Sequence, residues 1–352
     1  MTDRQFQLKN ILKLTHPFVW MGVSALLVFF YLGFLFFAPN IQKKSDEKAY
    51  LRIPDNSTFE HVIDSLELNA NVFSTISFRQ ASKFLGYGQK IRPGRYELKN
   101  GMNNFQLIRK LRSGNQTPVR LTFNNIRTKE QLAKRLSTQL MADSVQIVNL
   151  LNDTAFLSVN HLNPYNSISV FIPDTYEVFW DLDATEIFER IMKEYNKFWT
   201  NERKMRAASI PLTQTEVSIL ASIVEEETNS KRELPIVAGL YINRLKKDIP
   251  LQADPTVKFA VGDFSLKRIL IEHVLKISPY NTYRNTGLPP GPIRVASVNG
   301  IDAVLNYTHH DYVFMCAKET LNGEHNFAVT WNEHQQNAKK YQQALNERKI
   351  FK

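Results

Sequence analysis

From Phe18 to Phe37 the chain reads FVWMGVSALLVFFYLGFLFF, twenty residues without a charge. At a rise of about 1.5 Å per residue, such a run matches the roughly 30 Å hydrocarbon core of a bilayer. The pattern predicts a transmembrane helix over 18–38. The run ends in Phe36, Phe37, Ala38 and Pro39 rather than at a small-x-small site, so it is expected to be kept as an anchor and not cleaved as a signal peptide. Arg4, Lys9 and Lys13 before it nearly balance Lys43, Lys44, Lys48 and Arg52 after it. Long domains translocate largely regardless of local charge, which predicts a cytoplasmic tail over 1–17 and residues 41–352 outside.

Behind a linker at 39–49, three stretches of sixteen residues align: LRIPDNSTFEHVIDSL from Leu51, YELKNGMNNFQLIRKL from Tyr96 and LTFNNIRTKEQLAKRL from Leu121. Each reads as strand, turn and helix. Ile53, Leu98 and Phe123 share an inward strand position, Thr58, Asn103 and Thr128 stand where an N-cap belongs, and Leu66, Leu111 and Leu136 close the helical stripe. Thr128 with Gln131 fits a capping box, and Ser57 with Glu60 offers one in the first copy. The repeat resembles a LysM-type α/β subdomain over 50–140, a shallow groove for amino-sugar chains without catalytic residues of its own.

Residues 141–350 are expected to form a larger mixed α+β domain. Helices are predicted near Val145–Leu151 and Ala184–Trp199, and FIPDTYEVF (Phe171–Phe179) reads as a strand bent at Pro173. Thr213 and Glu216 have capping-box spacing and open a helix with apolar residues at Val217, Leu220 and Val224. The next position on that stripe is Glu227. A carboxyl on an apolar face is desolvated, its pKa rises, and it becomes a candidate general acid near neutral pH. Ending the helix in water, or pairing with Lys231, is the plainer alternative.

The neighbouring segments fit a sugar groove. Tyr280 and Tyr283 offer aromatic faces to a pyranose, Gln252, Asn281 and Thr282 offer hydrogen bonds, and Asp254 before Pro255 supplies a second carboxylate. GLPPGPI, with Pro289 and Gly291, is expected to be a stiff wall.

Composition narrows the classes. The 352 residues carry 44 Lys and Arg against 34 Asp and Glu, a formal +10 that favours an anionic partner or surface. Basic stretches lack interleaved aromatics, so nucleic-acid binding is not expected. The single cysteine, Cys316, excludes an intrachain disulfide and a cysteine-rich zinc site. Without HExxH, a Walker loop or GxSxG, no metal and no cofactor are expected.

Taken in order, PGRYEL, PDTY, ASIVEEET, INRL, LQADPTV, YNTYRNTGLPPGPI and HNF resemble the endolytic murein transglycosylase family, MltG or YceG-like, from about Tyr50 to near the C-terminus. The resemblance implies a single-pass protein of the bacterial inner membrane whose extracytoplasmic domain cuts nascent peptidoglycan strands internally, beside cell-wall synthases. Glu227 corresponds to the family's acid. Glu226 stands where lysine is common, and Ala253 where threonine or serine is common. The implied reaction is non-hydrolytic cleavage of the β-1,4 MurNAc–GlcNAc bond to a 1,6-anhydro end. A hydrolytic muramidase using Glu227 with Asp254 and a non-catalytic glycan-binding scaffold are the alternatives.

Overall fold

The computed structural model describes residues 3–266 and 268–348, with side chains described from Phe18 onward. The chain divides into two compact units, one comprising the chain to Val119 with Glu177–Asp181, the other Arg120–Tyr176 with Leu182 onward. The mixed α+β class holds. The third strand–turn–helix segment, at Leu121, falls with the second unit.

The first unit contains α1 (Asp3–Phe37), β1 (Pro39–Lys43), β2 (Ala49–Ile53), α2 (Phe59–Asn69), β3 (Ala70–Val72), α3 (Thr75–Phe84), β4 (Gly94–Leu98), β5 (Met102–Asn103) and α4 (Asn104–Ser113). Strand β6 (Val119–Thr122) begins at the boundary. The apolar run Phe18–Phe37 forms part of α1, and its outward side chains are exposed, as suits a membrane anchor. Residues 39–49 are not a linker throughout. β1 is the middle strand of a three-stranded sheet, paired antiparallel to β3 through Ile41 and Val72 and bonded to β5 on its other side. Ile41 is buried because the helix delivers the chain straight into the core, next to Leu35.

Each repeat segment makes the elements its pattern predicts. Ile53, Leu98 and Phe123 are buried, as are Leu66, Leu111 and Leu136. Thr58, Asn103 and Thr128 are the N-caps of α2, α4 and α5 (Lys129–Ser137). In the first copy the box is Thr58 with His61, and Ser57 instead donates to the Pro54 carbonyl. In the third, Gln131 reaches back to the Arg127 N–H rather than to the cap residue. β2 and β4 pair antiparallel with Leu51 opposite Tyr96, which puts Leu51, Ile53, Tyr96 and Leu98 into one core.

The second unit continues with α6 (Ser144–Leu150), α7 (Thr154–Ser158), the start of β7 (Thr175–Val178), which runs past the boundary at Tyr176, α8 (Ala184–Phe198), α9 (Asn201–Ser209), α10 (Gln214–Glu227), α11 (Leu234–Lys246), α12 (Asp254–Val261), α13 (Ile271–Val274), α14 (Val298–Leu305), β8 (Phe314–Ala317), β9 (His325–Ala328) and α15 (Trp331–Glu347). Thr213 and Glu216 form the capping box that starts α10. Every residue from Val217 to Val224 is buried, so α10 is enclosed on all sides rather than along one stripe. Its neighbours α11, α12 and α14 supply the enclosure. That enclosure sets the environment of its last residue.

Candidate active site

Glu227 is the final residue of α10, and Thr228 leaves the helix in an extended conformation. Ending there brings the carboxylate against α11, where the Tyr241 hydroxyl donates a 2.7 Å hydrogen bond to Glu227 Oε1. The side chain is half-buried by surface area, and what it exposes opens into a cavity of about 360 Å3 that also takes in Arg244, Gln252, Asp254, Tyr283, Phe314 and Trp331. Surrounding protein holds its carboxyl well above the ordinary range, at about 7, with burial the main cause. The Tyr241 hydrogen bond pulls the other way, and nearby Asp254 adds a smaller upward push. The negative end of the α10 dipole, with no basic residue in the last turn, acts in the same upward direction. Such a carboxyl is protonated in a large fraction of molecules at neutral pH and can give that proton to a leaving oxygen.

The other two glutamates of the run are already engaged. Glu226 accepts from Arg127 at 2.6 Å and from Arg294 at 2.8 Å. Its charge is thereby largely cancelled, and among the causes acting on Glu227 it stands last, so the acidic departure at this position adds little to the proton affinity of Glu227. Glu225 accepts from both the backbone N–H and the hydroxyl of Ser297 at the start of α14. These bonds tie α10 to its neighbours and leave Glu227 alone facing the cavity. Lys231 lies beyond the helix end and makes no pair with it among the described hydrogen bonds and ion pairs.

Of the expected groove residues, Gln252, Asp254 and Tyr283 line the Glu227 cavity. The Tyr283 hydroxyl donates to Asp254 Oδ1 at 2.7 Å, and burial with that carboxylate pushes the phenol up. Gln252 holds a left-handed backbone (φ 53°) and accepts from Arg244 Nη2 at 3.0 Å. Asn281 and Thr282 are not sugar ligands in this arrangement. Both are buried to within 1%. Asn281 donates to the carbonyls of Val274 and Lys276, and Thr282 accepts from the Ala253 N–H and bonds Thr256, so their polar atoms are spent on bracing the loop. Tyr280 packs on Phe259 with ring centroids 4.6 Å apart, outside the Glu227 cavity. Pro289 lines a different and larger cavity of about 1210 Å3 that excludes Glu227. At Gly291 a Cβ would lie 1.9 Å from the Tyr165 carbonyl oxygen, so close packing alone requires glycine there.

Three features were missed. Tyr241 reads in sequence as one apolar position of the α11 stripe, and only the end of α10 makes it the partner of Glu227. Arg244, one turn on, is buried and donates to the Leu251 carbonyl at 2.7 Å. Burial lowers its proton affinity, and its Nε has no partner among the described residues. Glu233 bonds the Thr228 hydroxyl, the His325 N–H and His325 Nδ1, which fixes the chain just after Glu227 to β9. A charged residue inside an apolar helical stripe, as Arg244 is, was the available signal.

The arrangement can do acid–base chemistry with one carboxyl, and among the described residues no group of three metal-ligating side chains accompanies it. The model of the YceG-like family matches residues 51–340. The endolytic murein transglycosylase of Bacillus subtilis (strain 168) is 30% identical over 328 residues, covering 88% of this chain and 89% of that protein. The endolytic murein transglycosylase of Streptococcus pneumoniae serotype 2 is 25% identical, covering 84% of this chain and 59% of the relative. The crystal structure of a YceG-like protein from Listeria monocytogenes superposes with a TM-score of 0.53 at 26% identity, covering 83% of this chain and 99% of that one. A match over most of the chain, in sequence and in fold, means that the chain belongs to the YceG-like family.

Proposed function

We propose that this protein is a membrane-anchored endolytic lytic transglycosylase, a lyase that cleaves the β-1,4 bond between MurNAc and GlcNAc within peptidoglycan strands. The observation that carries the reading is the Glu227 carboxyl, held near neutrality by burial at the wall of an open cavity. In the first half of the reaction its proton passes to the glycosidic oxygen as the C1–O bond breaks. The carboxylate then takes the proton of the muramyl C6 hydroxyl as that oxygen bonds to C1. The 1,6-anhydro ring forms, no water is consumed, and the acid is restored. Tyr241 positions the carboxyl and stabilises its charged form in between. Of the groove residues, Tyr283 offers its ring and Gln252 its amide N–H groups to the sugar, their oxygens being engaged by Asp254 and Arg244.

On this reading Phe18–Phe37 crosses the bacterial inner membrane, the chain from residue 41 lies outside the cytoplasm, and the nascent strand reaches it from cell-wall synthases. The strand–turn–helix segments serve as a LysM-like glycan platform. A cleft of about 750 Å3 in the first unit, lined by Asn100, Gln106, Arg109 and Lys110, has the polar and basic character such a platform needs. Asp254 shares the Glu227 cavity, which keeps hydrolysis as the rival chemistry. Mass spectrometry of products from uncrosslinked glycan strands separates the two. Anhydro ends are expected, reducing ends would make the enzyme a muramidase, and bound but uncut strands would make it a scaffold.

A further inference from the structure

The apolar run is long enough to span a bilayer, yet one side of its last part is taken up by the first unit, while Phe34 and Phe37 stay exposed on the other. Leu35 is 1% exposed, and Leu32 and Phe36 pack against the same core. Phe36 meets Phe84 of α3 with ring centroids 6.2 Å apart, and the Tyr31 hydroxyl donates to Gln80 of α3 at 2.5 Å. The roughly 14 residues from Phe18 to Tyr31 cover only about 21 Å of a hydrocarbon layer about 30 Å thick. Shifting the helix to fill the gap from its other end would draw His16 and Lys13 into lipid. The remaining depth of about 9 Å therefore coincides with the first unit itself, and it matches the roughly 5–10 Å to which interfacial helices sink.

What α3 presents there is apolar. Gln80 is the residue Tyr31 reaches, so the stripe through Gln80 faces the flank of the span. On that stripe, four residues to either side of Gln80, stand Ile76 and Phe84, exposed by 70% and 68%, and Phe73, just ahead of the Ser74 N-cap, is exposed by 69%. Exposed Lys83 borders it, as cations border a helix seated among anionic headgroups, while Arg79 beside it is paired with Glu60. The unit cannot swing clear, because Asn104 donates to the Leu35 carbonyl at 2.8 Å and Asn40, just past the helix, donates to Asn104 at 2.7 Å. The junction is a buried hydrogen-bonded joint, not a tether.

We propose that the outer stripe of α3 (Ile76, Phe84), with Phe73 just ahead of the helix, is a lipid-contact surface, seated in the headgroup–acyl boundary of the bilayer that α1 crosses. The inference rests on the anchoring read from α1. It makes the first unit a peripheral membrane body as well as an anchored one.

Fluorophore depth measurement tests it on the full-length protein in vesicles of phosphatidylcholine and phosphatidylglycerol with acyl-brominated lipid as quencher. In a Cys316→Ser background, single cysteines at Ile76, at Phe73, at Val23 in the span, and at Arg52 on the outward face of β2 carry the label. Quenching at Ile76 and Phe73 should exceed that at Arg52 by roughly threefold or more, as expected for insertion into the interface. Quenching at Val23 with Ile76 and Phe73 no higher than Arg52 would overturn the lipid surface and leave the anchor standing. No quenching at Val23 would remove the anchor, and the surface with it.

Discussion

Two buried polar clusters, one in each unit, sit at the end of a helix and behave in opposite ways. In the first unit Asn40, Asn104, Ser74 and Ser77 are neutral and interlocked. Asn104 donates to Leu35 and Ser77, Asn40 donates to Asn104 and Ser74, and the Ser74 N–H donates back to Asn40. In the second, among the described residues, Glu227 has one hydrogen-bond donor, Tyr241, and the neighbouring Arg244 leaves its Nε unpartnered. A satisfied neutral network contributes stability and one geometry, whereas an ionisable group with too few partners costs stability and gains a shifted proton affinity. The difference marks which cluster is structural and which is chemical.

The sharpest test of that contrast is Glu227→Gln. Losing a general acid should reduce cleavage by about 10²–10⁴-fold while glycan binding stays within experimental error. Product assays beside a pull-down on isolated sacculi measure both, and turnover close to wild type would move the chemistry elsewhere. Next in size, Asn104→Ala leaves the Leu35 carbonyl, the Asn40 amide and the Ser77 hydroxyl without their shared partner and should destabilise the first unit by about 2–4 kcal/mol. Denaturant unfolding reads this, and a loss below about 1 kcal/mol would show that the network is not structural in the sense drawn here.

The same substitution at Glu227 should act in the reverse direction on stability. Folding raises this carboxyl from its ordinary 4.5 to about 7, so the folded state holds the proton more tightly. Wild-type stability then falls as pH rises from the ordinary value through the folded one, and the full penalty is present above it. Glutamine never ionises. Glu227→Gln should therefore be more stable than wild type by about 1–3 kcal/mol at pH 8 and nearly equal to it at pH 4. Thermal melts at the two pH values check the sign.

A smaller effect is expected at Tyr241. Its hydroxyl stabilises the Glu227 carboxylate, so Tyr241→Phe should raise the alkaline limb of the pH–rate profile, which in wild type falls as pH passes about 7, by about one pH unit. An unmoved limb with reduced kcat would assign Tyr241 to packing alone. Least of all, Glu226→Gln should leave that limb within about 0.3 units, because the two arginines already neutralise Glu226, while costing about 1 kcal/mol from the unpaired guanidiniums.

Much of the molecule was legible from pattern alone, since it rests on short-range rules. The apolar run, the caps Thr58, Asn103, Thr128 and Thr213, and the helices that follow them obey local hydrogen-bond geometry and periodicity. Glu227 was legible for the same reason: continuing the α10 count places it against apolar neighbours. Asn281 and Thr282 misled because a polar side chain in a loop looks alike whether it meets a ligand or braces its own backbone. Their bonds to Val274, Lys276 and Ala253 span separations that no local spacing reveals.

What the chain's own order of residues determined was the set of elements, the candidate acid and the family. Periodicity and capping act within a few residues, and the family's motifs are written along the chain. Tertiary structure alone decided that α10 is enclosed on every side, that Tyr241 and not Lys231 meets Glu227, that two arginines silence Glu226, and that the end of α1 is locked into a core through Asn104. Those outcomes depend on which distant surfaces come together to exclude water, and desolvation is a property of the assembled volume rather than of any segment.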